Sequence, residues 1–291
     1  MVDASLLPVL LALVAASLFG LQGVLARRAL RYVNAQTGAM VSICVAALIF
    51  WGLLIWRMEA DWWRSPAVWV FASNGLLHPM LSMLLSFEAN RRMGATVSAT
   101  ISATTPLFAE AGAVLWLGEG LSGIVLAGTL VIVGGIVVLS WQGGTARTWA
   151  PFALVFPIGA AMVRAFNHVW GRFGLTLLPA PLFAASLSFA VSGTLSVLAF
   201  GVRTGGLPRH IPRGGLLWGM LSGVCVSAAI LCMYTALTTG QVVVVSPVLN
   251  TFPLFTLGWA LLFRQERLTR RVAAGVVLVV AGVMLIGLRQ V

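Results

Sequence analysis

Ten apolar runs of about 20 residues follow one another along the chain, separated by short polar connections. An α-helix needs roughly 20 apolar residues to cross the ~30 Å hydrocarbon layer of a bilayer. Lipid offers no partner to unpaired backbone groups, so runs of this length are expected to be helices rather than strands. The pattern therefore predicts an all-α integral membrane protein with ten transmembrane helices and the lipid bilayer as its surroundings.

Composition supports this class of protein and excludes a soluble domain. Hydrophobic residues make up 60% of the 291 and charged residues 9%, against roughly 45–50% and 25% in globular chains. The first run follows Asp3 and no arginine, so it is predicted to be a retained span and not a signal peptide. The predicted spans are 5–26, 36–56, 66–88, 94–117, 121–141, 150–172, 181–202, 214–237, 241–263 and 269–288.

The positive charge lies mainly in the loops between spans. The formal net charge is +11, and every one of the 18 basic residues is an arginine. Thirteen lie in odd-numbered loops, whereas the even-numbered loops and the tails hold Arg57, Arg64, Arg172 and Arg289. Excess arginine marks cytoplasmic loops, which puts both termini on the non-cytoplasmic side of a prokaryotic inner (plasma) membrane. Arginines distributed in this way favour membrane orientation over a nucleic-acid partner.

The two halves of the chain repeat each other at an offset of 147 residues. The shared positions with the most specific residue types are Pro106-Leu107-Phe108 with Pro253-Leu254-Phe255, Glu119 with Glu266, Gly128 with Gly275, and Gly135 with Gly282. Each half contains five spans, and an odd number turns the second half upside down relative to the first. The sequence therefore predicts two inverted five-helix repeats, residues 1–145 and 146–291, an architecture that recurs in transporters.

The repeat also carries a family resemblance. Pro106, the segment 117–122 (LGEGLS) and Gly128 with Gly134-Gly135 are similar to the EamA repeat of the drug/metabolite transporter superfamily. Pro253, Gln265-Glu266, Gly275 and Gly282 form a second copy. The resemblance implies ten helices, export or exchange of a metabolite, and a central cavity lined by both halves. It leaves the substrate open.

Ionisable side chains inside spans are costly in lipid and are therefore functional candidates. Glu110 lies within the fourth span, and its repeat partner is Leu257, so it departs from the symmetry. It is a candidate for proton coupling or for contact with a substrate amine. Arg164 and His168, four residues apart on one face of the sixth span, suit a substrate carboxylate or phosphate. The alternatives are that Arg164 neutralises Glu110 and that His168 is solvated near the interface.

Prolines and small polar residues mark predicted breaks in the spans. A proline inside a helix frees a backbone carbonyl, and paired breaks near mid-membrane point to a binding site between repeats. The candidate breaks are at Pro79, Pro106, Pro247 and Pro253. The candidate cavity residues beside them are Asn74, His78, Ser102, Thr105, Ser246, Asn250 and Thr251. His78 is a further coupling candidate with Glu110 and His168, but it can equally be a histidine satisfied by neighbouring backbone, and the hydroxyls can serve close helix packing.

Other polar residues in the spans have simpler interpretations. Gln22 and Tyr234 are added to the candidate cavity. Glu119 and Glu266 each precede a span and are interpreted as helix N-terminal carboxylates without a transport role. The cysteines, Cys44, Cys225 and Cys232, show neither a metal-ligand nor a disulfide spacing. No cofactor or metal is predicted.

The sequence thus favours a carrier that moves a small metabolite outward by alternating access, with an amino acid or related compound as the expected substrate. Protons are candidate coupling ions, and the carrier is expected to be a monomer or weak dimer. The alternatives are an integral-membrane enzyme and a passive channel. Only three histidines occur, without a ligand motif, which disfavours the enzyme. A channel usually repeats one residue type around a ring of subunits, whereas inverted repeats with paired broken spans favour a carrier.

Overall fold

A computed structural model of the chain describes residues 6–93, 101–140, 151–206, 208, 210–263 and 270–288. The described part contains α-helices, two short 3-10 helices and no strand. The helices are α1 (Leu7–Ala29), α2 (Ala35–Leu54), α3 (Ala67–Leu77), α4 (Met80–Met93), α5 (Thr105–Leu117), α6 (Gly123–Ser140), α7 (Val155–Leu177), α8 (Pro181–Thr204), α9 (Arg213–Thr239), α10 (Val242–Leu249), α11 (Phe252–Leu262) and α12 (Arg270–Leu288).

These helices account for the ten predicted spans. Seven helical segments of the described residues are long and apolar enough to cross a membrane, and three shorter apolar helices complete the set. Two spans are each built from two consecutive helices, the third from α3 and α4 and the ninth from α10 and α11. The first part of the fourth span and the predicted repeat boundary at 145 lie outside the described residues.

The sixth span extends further than the sequence predicted. We expected it to end at residue 172, but α7 continues to Leu177. Arg172 was therefore wrongly assigned to a loop and lies inside the span. The hydropathy pattern placed the end too early because an arginine in the last turns of a helix looks like a loop residue until its partners are known.

Three spans are interrupted near their polar residues. The third breaks at His78 and Pro79, between α3 and α4. In the ninth, α10 ends at Leu249 and α11 starts at Phe252, with Pro253 in the first turn. A proline is tolerated in a first turn, where its missing N–H would have no helical partner.

The matching interruption of the fourth span precedes α5, which begins at Thr105 with Pro106 in its first turn. The hydroxyls of Thr104 and Thr251, equivalent positions of the repeat, each donate to the carbonyl three residues earlier. Pro247 does not mark a break, since it lies inside α10 and the interruption follows three residues later. The breaks of the fourth and ninth spans are therefore local backbone turns closed by threonine hydroxyls.

Helices of one half pack mainly against helices of the other. The first span (α1) lies along α9, and the sixth (α7) lies along α3 and α4. The second span (α2) contacts both α8 and α9, and α3 contacts α8 in turn. Each span has an equivalent in the other repeat, five spans away. Replacing both members of a pair by their equivalents converts the contact of α1 with α9 into that of α7 with the third span, and the contact of α2 with α9 into that of α8 with α3. The two repeats therefore interlock throughout the part of the chain that the structure describes.

The packing of α6 against α12 shows this exchange in detail. A methyl group added to Gly135 would lie 2.8 Å from Val279 Cγ2, and one added to Gly282 would lie 2.6 Å from Ile132 Cγ1. Gly135 is equivalent to Gly282 and Ile132 to Val279 at the 147-residue offset. Gly128, near the start of α6, meets Gly282 and Ile286, so the two helices run antiparallel. Contacts that repeat in both directions are what a two-fold axis produces.

A second pair of close contacts shows where the two halves shift in register. Gly75 of α3 lies against the Ser188 carbonyl of α8, and Gly223 of α9 lies against the Ser42 carbonyl of α2. Gly223 follows Gly75 by 148 residues, and Ser188 follows Ser42 by 146. Residues in equivalent contacts therefore differ by one from the 147-residue offset of the sequence: the glycines are one residue further apart, and the serines one residue closer. Because Gly75 and Gly223 have no Cβ, the backbone of each helix can approach that of its neighbour closely.

Candidate functional site

A group of polar side chains lies where the interrupted third and ninth spans meet the sixth. Arg164 Nη1 of α7 donates to Ser86 Oγ of α4 at 3.3 Å. His168 Nδ1, one turn further along α7, lies 2.9 Å from Ser246 Oγ of α10. His78, at the break of the third span, is close enough to His168 and Arg164 to interact with them electrostatically. We call these five residues the central polar cluster.

The central polar cluster is rich in hydrogen-bond donors. A guanidinium carries five N–H donors in a planar fork that matches a carboxylate or a phosphate. Ser86 is the hydrogen-bond partner of Arg164 in the described structure, and no described carboxylate pairs with that arginine. The arrangement leaves donors of a cationic side chain available to an anionic group.

Glu110 does not join this cluster. It lies on α5 with 2% of its surface exposed, and its Oε1 accepts a hydrogen bond from the Thr129 hydroxyl of α6. Its second oxygen, Oε2, is buried with no hydrogen-bond partner. The alternative in which Arg164 neutralises Glu110 is therefore wrong for this structure, because the two side chains are held by different partners. Glu110 is an uncompensated buried carboxyl between the fourth and fifth spans.

Asn74 and Tyr234 connect the third and eighth spans. Asn74 Nδ2 donates to the Tyr234 hydroxyl at 3.0 Å, and both side chains are about 1% exposed. Gly171 of α7 packs directly on the Tyr234 ring. The predicted cavity position of Tyr234 is therefore a buried contact among three spans.

Replacing Tyr234 with phenylalanine is expected to destabilise the protein without changing its shape. Asn74 Oδ1 already lacks a partner, and the change would leave Nδ2 unpartnered as well. An unsatisfied buried polar group costs about 1–3 kcal/mol. Thermal unfolding in detergent measures the loss, with Tyr32→Phe on the exposed end of the first loop as the control. Equal stability of both variants would contradict this account.

Gln22 takes part in a comparable contact with the same helix, α9. Its Nε2 donates to Ser222 Oγ of α9 at 3.2 Å, and Ser222 Oγ lies 3.3 Å from Ser42 Oγ of α2. Gln22 remains partly exposed, unlike Asn74 and Tyr234. This polar contact joins the first, second and eighth spans.

The remaining candidates at the helix breaks bond mainly to their own backbone. Thr105 Oγ1 donates to the Ser102 carbonyl, and Asn250 Nδ2 donates to the Ser246 carbonyl. Thr105, Asn250 and Thr251 are buried, whereas Ser102 is partly exposed. These groups shape the breaks, and of the set only Ser246 also reaches the central polar cluster through its side chain.

The interpretation of Glu119 needs correction. Its carboxylate does bind a helix N-terminus, but the helix is α10 and not the fifth span that follows it. Oε1 accepts from Val242 N and Oε2 from Val243 N, each at 3.0 Å. A carboxylate bonded to two N-terminal amides also meets the positive end of the helix dipole. Its repeat partner Glu266 lies outside the described residues.

Sequence reasoning missed three functional candidates. Ser86 holds Arg164, Arg172 donates to the Leu237 and Thr238 carbonyls, and Trp170 Nε1 donates to Ser73 Oγ at 2.9 Å. Ser86 lies eight residues after His78, about two helical turns, and this spacing was the available signal. All three have partners 65 or more residues away, and no comparable spacing marks Arg172 or Trp170.

Comparison with known proteins gives the family. The model of the EamA-like transporter family matches residues 6–141 and again residues 151–288. No curated protein matches the chain. A solved structure described as a crystal structure of a protein is 17% identical, covers 99% of this chain and 97% of its own, and superposes with a TM-score of 0.80. That likeness shows the fold. With two copies of the family repeat and ten membrane spans, the chain belongs to the EamA-like transporter family.

Proposed function

We propose that this chain exports a small polar or amphipathic metabolite, an amino acid or a related compound, by alternating access between two inverted repeats. The family is one of membrane transporters of small molecules, and the substrate class is our inference. The observation that carries it is the central polar cluster, where Arg164 and His168 of α7 bond to the interrupted third and ninth spans and lie within electrostatic range of His78.

The chemistry of the interrupted spans suits a zwitterion. Arg164 offers a fork of donors to a carboxylate. The C-terminal carbonyls of α10, of which those of Ser246 and Val248 are bonded by Asn250 and Thr251, carry partial negative charge at the interrupted ninth span. Such carbonyls attract a cation, and helix N-termini attract an anion, in transporters with broken helices. An α-amino carboxylate carries both charges within one small molecule.

The packing of the repeats supports alternating access. The antiparallel α6 and α12 exchange the same contacts in both directions, so two spans related by the repeat point in opposite directions through the membrane. Two inverted halves around one site can exchange conformations about a pseudo-two-fold axis, which gives two arrangements, each open to one side. We infer inverted repeats divided at residues 1–145 and 146–291.

The arginine distribution supports the proposed location. Once Arg172 is placed within α7, the even loops and tails retain three of the four arginines first counted there, against thirteen in the odd loops. Positive-inside orientation then places both termini on the non-cytoplasmic side of an inner membrane. We expect a monomer or weak dimer in that membrane.

Glu110 is the proposed proton-coupling residue. Among the described residues, Thr129 is the hydrogen-bond partner of this carboxyl, and its other oxygen is buried without one. A buried carboxylate with so little compensation favours its neutral form, so Glu110 is suited to bind and release a proton. Glu110→Gln is expected to abolish accumulation driven by a pH gradient while counterflow continues. Thr129→Val, which keeps the carboxyl, is the matched variant and should remain coupled. Unchanged transport by Glu110→Gln at every pH and gradient would contradict the proposed role of Glu110 in proton coupling.

Counterflow in proteoliposomes tests the function itself. Vesicles are preloaded in turn with unlabelled amino acids, a nucleotide sugar or a quaternary-ammonium drug, and entry of the matching tracer is followed. Saturable, exchange-stimulated uptake of one class identifies a carrier and its substrate class together. Flux that does not saturate supports the channel alternative. Absence of flux from folded protein for all three classes would contradict the proposed substrate class.

A further inference from the structure

The turn between α9 and α10 is held by two oppositely charged side chains from other spans. It consists of Gly240 and Gln241. On one side it packs against the start of the first span, since a methyl group added to Gly240 would lie 2.5 Å from Pro8 Cβ. On the other side lie Arg172 and Glu119.

Each charge binds the helix end of complementary polarity. Arg172 of α7 donates to the Leu237 and Thr238 carbonyls, at the C-terminal end of α9. Glu119, just after α5, accepts from the first two amides of α10. Carbonyls at a helix C-terminus carry partial negative charge and amides at an N-terminus partial positive charge. Both ends of the turn are therefore fixed by charge-assisted hydrogen bonds, which are about twice as strong as neutral ones.

We call Arg172 and Glu119 the clamp, and the turn that they hold borders an open cavity. The cavity has a volume of about 430 Å³, and Trp116, Phe173 and Gln241 line it together with the two charged residues. It lies at the membrane face that carries the loops after the fourth, sixth and eighth spans. We call this the clamp face.

The short helix α10 connects the clamp to the central polar cluster. It spans only eight residues, from Val242 to Leu249. Its first two amides bind Glu119, and Ser246, one turn further along, binds His168. Beyond Leu249 the chain turns before α11 begins. A helix tied at one end and interrupted at the other can swing as a unit about the interruption.

We propose that Glu119 and Arg172 are positioning residues for transport, which hold α10 over the central polar cluster and close the clamp face. Release of the clamp lets α10 move away from α7, separates Ser246 from His168 and opens the cluster to that face. This inference rests on the proposed alternating-access function. It replaces the earlier interpretation of Glu119 as a residue without a transport role.

Cysteine accessibility tests the clamp. In a chain whose native Cys44, Cys225 and Cys232 are replaced by alanine, Val245→Cys places a thiol on α10 at a fully buried position. A membrane-impermeant maleimide is applied from each face in separately oriented vesicles. We expect Glu119→Gln and Arg172→Gln each to raise the labelling rate at the clamp face by about tenfold, the effect of losing charge-assisted bonds at a helix end. Labelling from the opposite face should not rise.

Matched variants separate gating from general loosening. Glu59→Gln removes an exposed carboxylate from another loop and should leave labelling unchanged, whereas Glu119→Asp keeps the charge and should give an intermediate rate. Equal increases from both faces, or no increase at either, would overturn the proposal. If the glutamine variants do not fold, Glu119→Asp and Arg172→Lys provide the same comparison.

Transport measurements distinguish failure of the clamp from failure of the proposed function. If the parent chain shows counterflow but neither clamp variant alters labelling, the clamp is wrong and transport stands. If labelling at the clamp face rises as expected while no variant and no parent chain transports any tested class, the clamp stands and the proposed substrate class fails. With both intact, the clamp variants should change the half-saturating concentration measured from the clamp face alone.

Discussion

Arg164→Gln is expected to reduce counterflow by about a hundredfold, the effect of removing a charge-assisted contact from a buried site. Arg164 is the arginine of the central polar cluster, and its described partner is the neutral Ser86. Its charge is therefore available to a substrate carboxylate. Arg164→Lys keeps the charge but loses the planar fork, so its transport should lie between those of the parent chain and the glutamine variant.

The control for this experiment is an arginine that lies outside the site. Arg203 is exposed in the last turn of α8, and Arg203→Gln should transport like the parent chain. Initial rates of tracer entry into proteoliposomes provide the measurement, with the amount of folded protein matched between variants. Full activity of folded Arg164→Gln would remove the anion-binding role from the proposal.

Gly135→Ala is expected to destabilise the protein by about 1–3 kcal/mol, the usual cost of overpacking a close contact. The added methyl group would meet Val279 Cγ2 at 2.8 Å and Val279 N at 2.9 Å. A backbone atom cannot move aside as the end of a side chain can, so α6 and α12 must separate. Gly282→Ala, the equivalent position, should lose a similar amount because its new methyl group would meet Ile132 in the same way.

The neighbouring glycine provides a close control. Gly134 lies in the same helix, and an added methyl group there would meet nothing within 4 Å. Gly134→Ala should be neutral or slightly stabilising, since alanine favours helix by up to about 1 kcal/mol over glycine. Thermal unfolding in detergent compares the three variants. Equal effects at Gly134 and Gly135 would contradict the packing described for α6 and α12.

The sequence identified both His78 and Glu110 as candidates but predicted the surroundings of neither. His78 and its proline were identified from sequence because an ionisable residue beside a proline inside an apolar run is unusual. The structure places it at a helix break and near Arg164 and His168. Glu110 was identified as an ionisable residue inside a span that departs from the repeat, but its neighbour is Thr129. Depth in the membrane is readable from sequence, whereas the direction in which a side chain faces depends on helix packing.

The repeat gives a similar lesson. Its prolines, glutamate and glycines share one register, so two related halves were visible in the sequence. The displacement to 148 residues at Gly75 and Gly223 was not visible, because it depends on which backbones touch. Equivalent positions in sequence are thus only approximately equivalent in space.

By itself the sequence determined the number of spans, their approximate limits, the two related halves and the family. Bilayer thickness fixes the length of an apolar run. Prolines and glycines at matching positions of two apolar runs indicate the same helix breaks and close contacts in both halves. Only the tertiary structure decided that Glu119 binds amides 123 residues away and that Arg164 bonds to Ser86, 78 residues away. Such contacts depend on the rotation of each helix about its axis, which is set jointly by all of its neighbours.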